Sequence, residues 1–152
     1  MASQVKDQAD AIVAAIGTVS GVPALIEWRK TDVLHPNRDD GAGGDPDEAV
    51  ILTGGDRTLS GRAFEGSVGY DYVWQITVYR RETPDVTVVD DVETSLTERI
   101  IQKLATTTLS AAPSVWDFEV TPWGDWGIPS FREGVEVNRF GVLYRTWELQ
   151  NG

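Results

Sequence analysis

The chain has 152 residues, within the span of a single domain and long enough to bury an ordinary core. Thirteen Lys plus Arg against 24 Asp plus Glu leave a net charge of −11, the reverse of the basic footprint with which proteins hold a phosphate backbone. There is no cysteine and only one histidine, His35, which excludes a disulfide framework, a thiolate metal site, a cysteine nucleophile and a multi-histidine metal site within one chain.

The apolar fraction of 41% predicts a folded rather than a disordered chain. No apolar run approaches the roughly 18 residues of a membrane helix. No charged-then-apolar leader is recognisable, and an intracellular product is expected. Val5, Ala9, Ile12, Val13 and Ile16 recur at intervals of three and four and predict an amphipathic first helix. Ser3 is its candidate N-cap, and Gly17 or Gly21 its stop. Ala24 to Arg29 reads as a first strand after Pro23.

From Thr31 to Glu48 the composition shifts. Asp39, Asp40, Asp45, Asp47 and Glu48 are interleaved with Gly41, Gly43, Gly44, Pro36 and Pro46. With little to bury and high backbone entropy, this stretch is expected to be a long mobile loop. Ala49 to Thr53 predicts a second strand, Gly54-Gly55-Asp56 a turn, and Arg57 to Gly69 a ragged hairpin. Tyr70 to Arg81 is the strongest strand signal. Tyr72, Trp74, Ile76 and Val78 point one way, and Asp71, Val73, Gln75, Thr77 and Tyr79 the other.

Val92, Leu96, Ile100 and Leu104 predict a second helix over about 90–106, with Asp90, Asp91 and Glu93 at its start and Lys103 near its end, as the helix dipole favours. Val115 to Val120 is a further strand, and Trp123 to Pro129 a turn-rich loop. Val135 to Leu149 is a last long strand with a bulge expected near Gly141. Strands joined by loops, with two one-sided helices, predict one α+β domain over residues 1–152. Its sheet should be mixed and mainly antiparallel, with both helices packed on it.

Three stretches carry residue types that chemistry uses. The acidic loop could offer oxygens to calcium, but it lacks the alternating ligands and closing glutamate of an EF-hand. Gly54 to Arg62 lacks the Gly-Lys-Ser/Thr and the following helix of a phosphate loop and reads better as turn residues in a hairpin. Asp32 and His35 could belong to a triad, yet no Gly-x-Ser-x-Gly elbow supplies a nucleophile. No catalytic residue, metal or cofactor is therefore expected, and the enzyme reading has no specific support. Trp28, Trp74, Trp116 and Trp147 fall in strand patterns, where core or sheet-face packing explains them. Trp123 and Trp126 lie in a loop, as partner anchors or packed on their own domain.

The element order carries a resemblance. The helical start Val5–Ile16, the strand Tyr72-Val73-Trp74-Gln75-Ile76-Thr77-Val78-Tyr79, the break at Thr83-Pro84-Asp85, the helix with Glu93, Leu96, Ile100 and Leu104, and the closing strands Val115–Val120 and Val135–Trp147 resemble one class over nearly the whole chain. It is similar to the tail terminators and related tail-completion or neck proteins of tailed bacteriophages. The resemblance implies a virion structural subunit, assembled in the host cytoplasm into a homo-oligomeric ring, commonly a hexamer. Such a ring caps the tail tube and joins it to the head at the neck. It implies tail-tube and neck or connector proteins as partners, with DNA passing through the lumen unread. An acidic annulus suits that passage by repulsion. Asp39, Asp40, Asp45, Asp47, Glu48, Trp123 and Trp126 are then the candidate partner contacts. A head-side connector-completion protein is the alternative within the same junction, and a small carbohydrate- or ligand-binding module using Trp123 and Trp126 the alternative from another class.

Overall fold

A computed structural model describes residues 4–35, 44–46, 48–64, 66–81, 96–107, 115–122 and 135–149. Two helices, α1 (Gln4–Gly17) and α2 (Leu96–Thr106), accompany five strands: β1 (Ile26–Trp28), β2 (Ala49–Phe64), β3 (Ser67–Arg81), β4 (Val115–Pro122) and β5 (Val135–Leu149). The strands form one sheet in the order β1-β2-β3-β5-β4. Only β1 and β2 pair in parallel, and every other pairing is antiparallel. The fold is α+β with a mixed, mainly antiparallel sheet, as the patterning predicts.

The alternation of β3 predicts a half-buried strand, but β3 lies at the centre of the sheet and both its faces are covered over part of its length, Thr77 and Tyr79 being buried opposite the helices. Its helix-side residues Tyr72, Trp74, Ile76 and Val78 are fully buried. They meet Ala9, Ile12 and Ile16 of α1, Leu96, Ile100 and Leu104 of α2, and Val50, Leu52, Phe140, Val142 and Tyr144 of the flanking strands in one core. Both helices thus contribute their apolar stripes to the same core as one sheet face. α1 ends at Gly17, with Thr18 Oγ1 donating to the Ala15 carbonyl (2.7 Å). The left-handed φ of +80° falls at Gly21 instead. Ser3 and residues 82–95, with the acidic start expected for the second helix, lie outside the described residues.

The predicted turn at Gly54-Gly55-Asp56 does not occur. β2 runs through it with a register shift between Gly54 and Asp56. Both glycines have left-handed φ (+96° and +88°), so the chain bulges instead of reversing. A Cβ on Gly54 would lie 2.8 Å from the Val73 carbonyl oxygen, and one on Gly55 2.7 Å from Trp74 Cη2. The glycines therefore let the strand backbone lie against the Trp74 ring. The reversal comes later, between Phe64 and Ser67.

β1 is shorter than expected. Its Trp28 is 43% exposed at the sheet margin, edge-on to Trp74 with centroids 5.8 Å apart, so it is not a core residue. Among the described residues Trp74 is the core tryptophan and Trp147 is partly buried, while the Trp116 side chain lies outside the described residues. The β3–β5 register runs unbroken through Gln75↔Gly141, so the bulge expected near Gly141 is absent. The irregularity lies on β4, between Val115 and Asp117.

Gly55→Ala is expected to lower stability by about 1–3 kcal/mol, through the strained φ and the crowding of Trp74. A urea unfolding curve followed by tryptophan fluorescence checks this.

Candidate functional site

The long acidic segment has a topological reason. Parallel neighbours cannot be joined by a hairpin and need a crossover of about a dozen residues or more. The link from Trp28 to Ala49 serves here. It begins as a strap across the sheet face opposite the helices. Leu34 is buried there with Ala49, Ile51, Tyr79 and Val137 in a second, smaller core.

Polar side chains fasten the strap. The guanidinium of Arg29 donates to Asp45 through both terminal nitrogens (2.9 and 3.0 Å) and through Nε to Glu27 (2.8 Å). The Asp45 carboxylate also accepts from the His35 backbone N–H (2.8 Å), and the Asp45 N–H donates to the His35 carbonyl (2.7 Å). A planar guanidinium matched to a carboxylate in this forked manner fixes geometry as well as charge. The two carboxylates hold Arg29 charged, its pKa raised above the usual value chiefly by Asp45.

Asp32 makes a second fastening. Its Oδ2 accepts from Arg139 Nε (2.6 Å), Thr77 Oγ1 (2.8 Å) and Gln75 Nε2 (3.1 Å), while the Tyr79 hydroxyl donates to its backbone carbonyl. Further along the same face, Arg145 pairs with Asp117 and with Glu119 (3.0 Å). The β4 irregularity sets Asp117 directly across from Arg145. On the helix side, Glu148 accepts from the Tyr72 hydroxyl (2.7 Å), Thr146 Oγ1 (2.9 Å) and Arg57 (3.1 Å). Arg57 also lies 3.6 Å above the Tyr70 ring.

Asp45 is therefore misplaced as a surface contact. It is 3% exposed and pins the crossover, its carboxylate turned inward onto the Arg29 guanidinium. The expectation of a stretch with nothing to bury fails at Leu34 and at Asp45. Glu48 is exposed just before β2. Asp39, Asp40, Asp47, Trp123 and Trp126 lie outside the described residues. His35 is exposed, and the carboxylate of Asp32 is engaged by Arg139, Thr77 and Gln75. Gly54 to Arg62 lies within β2, so the reading of these residues as the turn of a hairpin fails, the chain reversing only between Phe64 and Ser67. Among the described residues, no cluster of three or more His, Asp or Glu side chains is arranged to hold a metal, and no helix is long and apolar enough to cross a membrane.

Sequence reasoning missed Arg29, Asp32, Gln75, Thr77 and Arg139 as a set. The signal was present in the polar face of β3, where Gln75 and Thr77 alternate with the core residues. Their partners lie far away in the chain, and pairing shows only once the sheet forms. Compared with known protein families and with curated proteins, the chain matches none.

Asp45→Ala leaves Arg29 without its main partner and should destabilise the protein by roughly 3 kcal/mol, read from chemical denaturation. Alkali provides a second test. Burial raises the phenol pKa of Tyr72, Tyr79 and Tyr144 above the usual value, with nearby carboxylates (Glu148, Asp32) adding to the first two. These phenols favour the fold while neutral, so their contribution is complete below their unfolded pKa of about 10 and is lost as pH rises beyond it. The urea midpoint should hold from pH 8 and fall above about pH 10.

Proposed function

We propose that the chain is a structural ring subunit at the head–tail junction of a tailed bacteriophage, in the position of the tail terminator. The observation that carries this reading is the outer part of the β2–β3 hairpin. From Asp56 to Leu59, β2 is exposed at every residue, and Leu59 is 63% exposed. This arm extends past the core that the helices cover. A β-arm that buries little in its own subunit gains its stabilisation by contacting another.

The sheet also has unlike ends, a three-residue parallel strand β1 at one margin and the eight-residue antiparallel β4 at the other. Contacts between unlike surfaces are heterologous, and they close into rings when the rotation permits. Repeating a charge of −11 around such a ring gives an acidic lumen through which DNA slides without sticking. Asp32, Asp117, Glu119 and Glu148 on the sheet faces are paired with guanidiniums, which suits a part whose work is shape and charge.

Native mass measurement together with electron microscopy tests the proposal. A closed annulus is expected, with six copies as the leading stoichiometry, that does not retard duplex DNA in a gel. Leu59→Asp should leave the subunit monomeric with a stability change within about 0.5 kcal/mol, as for other exposed positions. A wild-type protein that stays monomeric at about 100 µM, roughly a hundred times a micromolar dissociation constant, overturns the ring reading.

A further inference from the structure

Three donors on the strapped face converge on a single oxygen. Thr77 and Arg139 face each other across β3 and β5, and Gln75 lies two residues before Thr77. Gly141, opposite Gln75, contributes no side chain to the cluster. Arg139 Nε, Thr77 Oγ1 and Gln75 Nε2 all donate to Asp32 Oδ2. Thr77 is fully buried, and the Arg139 and Asp32 side chains are only 16% and 18% exposed.

The two sides of this contact are built differently. The donors stand on paired strands whose register fixes them. The acceptor stands on a segment without regular structure, whose neighbours Lys30, Thr31 and Val33 are exposed, Val33 at 52%. If the strap moves, the donors stay where they are, and a half-buried guanidinium is left needing an anion. One guanidinium with a hydroxyl and an amide neutralises a monoanion, whereas a phosphate dianion would leave a charge uncompensated in the same space.

We propose that Gln75, Thr77 and Arg139 form a carboxylate-binding socket, that Asp32 is its tethered resident ligand, and that the strap around Asp32 is a latch which a side-chain carboxylate of a partner segment lifts by taking its place. The latch opens the sheet face over Leu34 and frees the Tyr79 hydroxyl from the Asp32 carbonyl. The socket is independent of the ring reading, since it is defined by the single subunit.

Trypsin reads the latch directly, because cleavage after the exposed Lys30 requires the strap to leave the sheet. When opening is fast, cleavage follows the open population. Asp32→Ala should raise the rate of cleavage at Lys30 roughly tenfold, the effect of a 1.4 kcal/mol change in the opening equilibrium. In the wild type, sodium acetate should speed cleavage at Lys30 saturably by competing with Asp32 for the socket, and sodium chloride at equal ionic strength should not. In an Arg139→Gln variant the acetate response should be lost. In the wild type, a Glu-rich hexapeptide should speed cleavage at Lys30, and a Gln-rich hexapeptide should not. If Asp32→Ala does not fold, Asp32→Asn serves in the same assays, since it keeps the shape and removes the charge. Unchanged cleavage in the Asp32 variant, or identical effects of acetate and chloride, overturns the socket. Failure of the Glu-rich peptide to act on the wild type overturns the displaceable latch. Either result leaves the oligomeric state, and with it the ring proposal, to be judged by its own measurement.

Discussion

The parallel pairing of β1 with β2 is the constraint from which much of the structure follows. Two strands that run side by side in the same direction must be joined by a chain that leaves the sheet plane and returns. The helices meet one sheet face in the main core. The strap takes the other, with a short sequence that has one large apolar residue to bury, Leu34. Hydrophobic burial at a single residue cannot hold such a segment, so ion pairs and hydrogen bonds do the rest. Asp45 on Arg29 and Asp32 on Arg139 are the consequence.

The same logic explains the division of labour between the two sheet faces. The helix side is a large apolar core in which Trp74 meets few polar partners, among them the Gln8 amide oxygen that accepts its indole N–H (3.0 Å). The strapped side combines a small apolar core with charged and hydroxyl-bearing residues that pair across strands. β3 can serve both because strand side chains alternate in direction, which separates Trp74 and Ile76 from Gln75 and Thr77 by a single residue. At the outer end of the sheet, Arg57, Tyr70, Tyr72, Thr146 and Glu148 stiffen the start of the hairpin arm where the helices no longer cover it. A stiff arm and a fastened crossover are properties expected of a part that fits into an assembly.

The amino-acid sequence by itself determined the two helices, most of the strands and the face of β3 that meets the helices. Periods of two in β3 and of three to four in the helices are local, and burial at Tyr72, Trp74, Ile76 and Val78 obeys them. The glycine pair at 54–55 shows where local reading stops. Two glycines announce positive φ, but whether the chain then turns or bulges depends on whether Trp74 and β3 lie alongside. The acidic segment shows the same limit. Its composition argues for solvation at every residue alike, yet Asp45 is buried because Arg29 comes into range once β1 and β2 are side by side. Pairings between Asp32 and Arg139, 107 residues apart, or Arg57 and Glu148, 91 apart, were settled by tertiary structure alone. A side chain's partner is fixed by strand order and register, and these are properties of the whole sheet.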